Sequence, residues 1–220
     1  MIQSVWLNKK WVTLGDSITW QDGHPYPETT KIARGYQTVI REQLGFSEVL
    51  NKGISGRPMA NGTKNGPGTN ATGKTIEYTN FDLVTIAAGT NDFRLDVPIG
   101  HEQQGEADTN TFQGAYHDLM QYILDKNPGI RIVLFTPLQR NKAFYDVNYV
   151  NQAGYTLKNY VQTIKEIGDQ YSVPVCDMYG NSGFTEKTMR EFTIDGLHPN
   201  ARGYERMGNY GAAFLQSIGC

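Results

Sequence analysis

Five short apolar runs along the chain alternate with longer stretches in which apolar residues return every three or four positions. The runs are WVTLGDS at 11–17, EVLNKGIS at 48–55, DLVTIAAGT at 82–90, RIVLFTP at 131–137 and VPVCDMY at 173–179. The stretches of helical character are GYQTVIREQLG at 35–45, TFQGAYHDLMQYILDKNPG at 111–129, YVNQAGYTLKNYVQTIKEIGDQY at 149–171 and ARGYERMGNYGAAFLQSIG at 201–219. In the third of these, Leu157, Tyr160, Val161, Ile164 and Ile167 share one face, the mark of an amphipathic helix. Leu44-Gly45 and the Lys126-Asn127-Pro128-Gly129 segment read as helix stops. Strands that are nearly continuous in hydrophobes are expected where both faces of a sheet are covered. The pattern therefore predicts a three-layer α/β/α sandwich around a five-stranded parallel sheet. With 220 residues and no linker-like stretch, one domain over 1–220 is expected. Ligands of such a sheet bind beyond the carboxyl ends of its strands.

Charge and cysteine content narrow the classes further. The 20 basic and 22 acidic residues nearly cancel, and no dense Lys/Arg run is present to track a phosphate backbone, so no nucleic-acid partner is expected. No run approaches the roughly 18 apolar residues of a membrane span, and the start MIQSVWLNKKWVTLGDS lacks a leader's apolar block and cleavage site. As it stands the chain reads as soluble and cytoplasmic; with a leader already removed it would read as secreted. Cys176, in a strand-like run, and Cys220, at the last position, do not make a disulfide framework. Asn61-Gly62-Thr63 and Asn70-Ala71-Thr72 match the N-glycosylation pattern within a loop rich in Asn, Gly and Thr.

The first three runs end in glycine and polar residues: Gly15-Asp16-Ser17, Asn51-Lys52-Gly53-Ile54-Ser55-Gly56 and Gly89-Thr90-Asn91-Asp92. Any one of these alone reads as a helix cap or turn. A fourth segment, Thr193-Ile194-Asp195-Gly196-Leu197-His198-Pro199-Asn200, precedes the last helix. Acyl transfer needs a hydroxyl nucleophile, an imidazole base, a carboxylate that holds the imidazole's tautomer, and donors aimed at the oxyanion. Ser17, His198 and Asp195 supply the first three. The backbone N–H of Ser17, the backbone N–H of Gly53 and the side-chain amide of Asn91 are the candidate donors. Pro199 biases His198 away from helical angles, which presents the imidazole from a loop. Ser17 is also expected at a helix start, where the helix N-terminus adds positive potential.

These four blocks, in the order serine, glycine, asparagine, aspartate-x-x-histidine, resemble the SGNH hydrolases, also called GDSL esterases, over nearly the whole chain. The resemblance implies a flavodoxin-like sheet and a serine ester hydrolase that needs no metal or organic cofactor. It places the family's second-block glycine at Gly53 by its position after Asn51, with Gly56 also present in the block. The expected substrate is a short acyl ester, with acetyl groups on a carbohydrate as its natural form. A lysophospholipase or acyl-thioesterase would use the same residues, and a non-catalytic carbohydrate-binding module could use the same scaffold.

Other polar residues have simpler readings. His117 reads as a surface or packing residue, and His24 as a loop histidine near the mouth; His101 lies in the connection 93–110. Asp22 and His24 lack a third ligand for a metal pair. Asp16 and Asp92 read as scaffold carboxylates that bond loop N–H groups. Segment 93–110 reads as a solvated loop, or as a rim of the pocket or a homo-oligomer contact, and its polarity argues against an interfacial lipase lid. Trp20, Tyr26, Phe93, Phe144, Tyr145 and Phe184 are aromatic residues for sugar stacking or for core packing.

Overall fold

The computed structural model describes residues 4–100, 107–143 and 145–219; His101, Phe144 and Cys220 lie outside them. In chain order the elements are β1 (Lys10–Gly15), α1 (Ser17–Trp20), α2 (Tyr36–Leu44), β2 (Glu48–Gly53), α3 (Thr69–Gly73), β3 (Leu83–Ala87), α4 (Thr90–Arg94), α5 (Phe112–Lys126) and β4 (Arg131–Phe135). There follow β5 (Asn141–Lys142), β6 (Tyr145–Asp146), α6 (Leu157–Tyr171), β7 (Val175–Cys176), α7 (Met178–Asn181), α8 (Met189–Phe192) and α9 (Ala201–Ser217). The five strands β2-β1-β3-β4-β7 form one sheet in that order, and every pair in it is parallel. All five predicted strands are present, and the fold is the expected α/β sandwich.

Alternation along the strands divides the core in two. Val12, Leu14, Val84, Ile86, Ile132 and Leu134 pack on one face against α5 and α6, through Phe112, Tyr116, Leu119, Tyr160 and Ile164. Trp11, Leu83, Val133 and Phe135 face the other way, against Tyr36 and Ile40 of α2 and Tyr204, Met207 and Leu215 of α9. A strand with apolar residues on both faces has no solvent side, which is why its run reads as continuous. Cys176 is buried in β7, and burial pushes its thiol well above the ordinary range.

Several elements depart from the sequence expectation. The third helix starts at Leu157 and not near 149, because Thr156 and Asn159 close a capping box that fixes its first turn. Ahead of it, Asn151 ties the loop by accepting the Tyr155 N–H and donating to the Phe93 carbonyl. The helix after Ser17 has four residues, too short for the dipole expected of it. The small antiparallel hairpin β5–β6 was not foreseen. Asn70 is 1% exposed and donates to the Ala115 carbonyl at 2.8 Å, so its sequon offers no accessible acceptor. No helix among the described residues is long and apolar enough to cross a membrane.

Two glycines let α1 lie across the strand ends. A Cβ on Gly15 would stand 2.8 Å from the Ala87 carbonyl oxygen, and a Cβ on Gly53 would stand 2.4 Å from the Trp20 nitrogen. Both obstacles are backbone, so relief requires a shift of α1 or of β3. Gly53→Ala is expected to destabilise the protein by about 1–3 kcal/mol through overpacking, read as a lowered Tm. An unchanged Tm would show that α1 is not held against β2 at this point.

Candidate active site

Strand register brings the first three blocks together. Gly15 pairs with Gly53 in β2 and with Ala87 in β3, so the segments after these residues leave the sheet side by side. Asp16 caps α1 by accepting the Ile18 N–H at 2.9 Å, which fixes Ser17 as the first helical residue. The fourth block arrives from the loop before α9. There Thr193 and Pro199 form an isolated antiparallel bridge, and the Ile194 N–H donates to the His198 carbonyl at 2.8 Å. Gly196, at φ +81°, turns the chain sharply between them. Asn200 ends the loop by capping α9 through the Gly203 N–H.

The turn places Asp195 under the imidazole of His198. One carboxylate oxygen, Oδ1, accepts the backbone N–H groups of Leu197 at 3.1 Å and His198 at 2.9 Å. The other, Oδ2, lies 2.8 Å from His198 Nδ1. The far ring nitrogen, Nε2, lies 3.0 Å from Ser17 Oγ. With Nδ1 protonated toward the carboxylate, Nε2 is free to accept from the serine hydroxyl. Burial works to raise the Asp195 pKa, but the bonds from the His198 backbone, Lys142 and the His198 ring outweigh it and hold the carboxyl well below the usual carboxylate range. Asp195 is therefore ionised throughout the neutral range.

The second and third blocks supply donors and braces. Asn91, at the start of α4, donates from Nδ2 to the Arg57 carbonyl at 3.1 Å. A primary amide carries two such hydrogens, so one remains. The Gly53 N–H is already committed, since it donates to Asn51 Oδ1 at 2.9 Å. Gly56, three residues on at φ +77°, has an N–H with no hydrogen-bond partner among the described residues. It adjoins Arg57, whose carbonyl receives Asn91. Asp92 locks this loop by accepting the N–H groups of Met59 at 2.7 Å and Ala60 at 3.0 Å. Burial pushes Asp92 up to about 7 and Asp16 up to about 6. Asp92 bonds loop N–H groups, as its sequence reading has it, whereas Asp16 bonds the Ile18 N–H of α1.

The other candidates are taken up by structure. His24 stacks on Trp20 at 4.0 Å and meets the Trp20 carbonyl through Nδ1 at 2.7 Å. Asp22 accepts the Gly35 N–H at 2.6 Å and the Thr38 hydroxyl, bracing the start of α2 instead of facing His24. His117 packs on the Tyr171 ring. Tyr26, Phe93 and Phe184 are core residues, leaving Trp20 and Tyr145 half-buried. Sequence reasoning missed Lys142 and Arg140, which reach the site from the unforeseen hairpin.

Comparison with known proteins now decides the family. A family profile described as GDSL-like Lipase/Acylhydrolase matches residues 13–206. The chain belongs to that family. This GDSL-like acylhydrolase is a carboxylic ester hydrolase. One crystal structure aligns over 98% of this chain and 99% of its own, at 29% identity and a TM-score of 0.85. The native aryl esterase of M. smegmatis aligns over 96% of this chain and 99% of its own, at 18% identity and a TM-score of 0.66. A mutant of an acetyl-xylooligosaccharide esterase from Geobacillus covers 96% of both chains, at 20% identity and a TM-score of 0.65. At these last identities the likeness concerns the fold. No curated protein matches the chain by sequence.

Because Asp195 is depressed in the folded protein, its contribution to stability is present above the unfolded value of about 3.9 and is lost as pH falls below it. Replacing it by Asn removes that dependence. In thermal melts from pH 6 down to pH 3, the Tm advantage of wild type over Asp195→Asn is expected to shrink. Since Asp195 keeps 31% side-chain exposure, solvent screening limits the effect to on the order of 1 kcal/mol. A gap that stays constant or widens toward pH 3 would contradict the pairing.

Proposed function

We propose that this acylhydrolase works through a covalent acyl-Ser17 intermediate. Its support is the continuous line of bonds from Ser17 Oγ through His198 to Asp195, at 3.0 Å and 2.8 Å. Ser17 Oγ attacks the ester carbonyl carbon while His198 Nε2 takes the hydroxyl proton. Asp195 holds the ring and stabilises the imidazolium that forms. The carbonyl oxygen becomes an oxyanion and receives the Ser17 N–H, the free Asn91 Nδ2 hydrogen and the Gly56 N–H. Gly56 takes this role in place of Gly53, whose N–H is spent on Asn51. His198 returns the proton to the departing alcohol. Water, activated by the same imidazole, then hydrolyses the acyl-serine. Each oxyanion donor is worth on the order of 3 kcal/mol in such reactions.

The substrate we infer is a short acyl ester, with acetyl groups on a carbohydrate as the natural form. Segment 57–75 beside the site is rich in Gly, Asn and Thr, which offers hydroxyl groups of a sugar more partners than a fatty chain. The Geobacillus relative's action on an acetylated xylooligosaccharide accords with this reading.

Acyl preference tests it. On p-nitrophenyl esters kcat/KM is expected to be highest for acetyl and to fall toward octanoyl. A site built for lipid would gain up to about 0.8 kcal/mol per buried methylene and climb along the same series. A rise from acetyl to octanoyl would replace the carbohydrate reading with the lysophospholipase or thioesterase one, and no turnover of any ester would leave a binding module.

A further inference from the structure

Asp195 Oδ2 has two cationic neighbours. Besides the His198 ring, the ammonium of Lys142 pairs with the same oxygen at 2.5 Å. Lys142 comes from the β5–β6 hairpin, and three contacts hold that hairpin to the site. The Asn141 N–H donates to the Gly196 carbonyl at 2.9 Å, next to Asp195 in sequence. Arg140, 2% exposed, donates from Nη1 to the Thr90 carbonyl at 3.2 Å and hydroxyl at 2.8 Å. Its Nε donates to the Tyr145 carbonyl on the returning strand at 3.0 Å. The guanidinium also lies over the Phe93 and Tyr145 rings, at 5.9 Å and 5.7 Å. Burial and the nearby Arg94 charge lower the Arg140 pKa to about 10, so it stays charged at neutral pH. A two-residue hairpin is marginal alone; here a buried cation anchors it and a second cation extends from it.

We propose that Lys142 is a positioning residue for the esterase reaction: it fixes the Asp195 carboxylate beneath His198 and, as a second cation on the same oxygen, opposes protonation of the ring. The inference rests on the assignment of His198 as the base. Two consequences follow from the shared oxygen. Lys142 restrains an exposed carboxylate that is otherwise fixed by its own turn. It also places a positive charge beside the ring, which favours the neutral imidazole that accepts the serine proton. The other charged groups facing this region are Asp16, which acts on His198 from the β1–α1 junction, and Arg140, which acts on both Asp16 and Asp195.

The test is the pH dependence of kcat/KM on p-nitrophenyl acetate from pH 5 to 8.5, for wild type, Lys142→Met and Lys142→Arg. In Lys142→Met the acid limb is expected to move to higher pH by roughly 0.5–1 unit, and the displacement to shrink in 1 M salt, which screens an exposed charge. Lys142→Arg is expected to restore the wild-type limb. A hairpin that is only a structural support would lower activity at every pH and leave the limb in place; that result, with Tm preserved, overturns the proposal. Failure of Lys142→Arg to restore the limb while Lys142→Met moves it would likewise overturn the charge argument. A wild-type profile with no acid limb would remove His198 as the base, and the proposal with it.

Discussion

In a parallel sheet the register is the constraint from which this site follows: Gly15 stands beside Gly53 on one flank and Ala87 on the other, so three chains leave the sheet at one level. A slip of one residue in either pairing would exchange the two faces of a strand and separate Ser17 from the second and third blocks. The two-faced core resists such a slip, because Trp11 and Val12 must enter different layers. The identity of Gly15 and Gly53 belongs to the same constraint, since any side chain there would push α1 off the strand ends. The position of Ser17 is thus a consequence of core packing.

Buried polar groups then fix what the strand ends deliver. Asp92, fully buried, gives one oxygen each to the Met59 and Ala60 N–H groups, which holds the loop carrying Gly56 against the helix carrying Asn91. Arg140 does the corresponding work on the opposite side, tying Thr90 beside Asn91 to the hairpin that meets Asp195 and Gly196. Buried polar groups of this kind are costly unless hydrogen-bonded, and both are bonded to backbone of the segments they join. Ser17 and His198, between these braced segments, are half-buried and reach solvent.

How much of this was legible in the sequence depends on range. The five strands and four long helices were readable because their periodicity reflects burial within each segment. The Asp195–His198 pairing was readable because it spans one tight turn. The start of α6 was misplaced: Tyr149 and Val150 extend its apolar pattern, while the Thr156–Asn159 capping box that overrides it is a subtler signal. The β5–β6 hairpin has two-residue strands, too short for any period to show, so Arg140 and Lys142 were invisible as partners of Thr90 and Asp195. Gly53 and Gly56 differ in where the N–H points, and that depends on the Asn51 side chain folding back onto Gly53. Spacing carries no such information.

The central claim is that Ser17 is the activated nucleophile of this family member. The most direct measurement is intact-mass and peptide mass spectrometry after exposure to a small fluorophosphonate, which traps a serine made nucleophilic by a neighbouring base. One adduct per chain, mapped to Ser17, formed with loss of esterase activity in the same proportion and absent from Ser17→Ala, is the expected result. Inactivation with the adduct on another residue, or hydrolysis that persists in Ser17→Ala, would contradict the account.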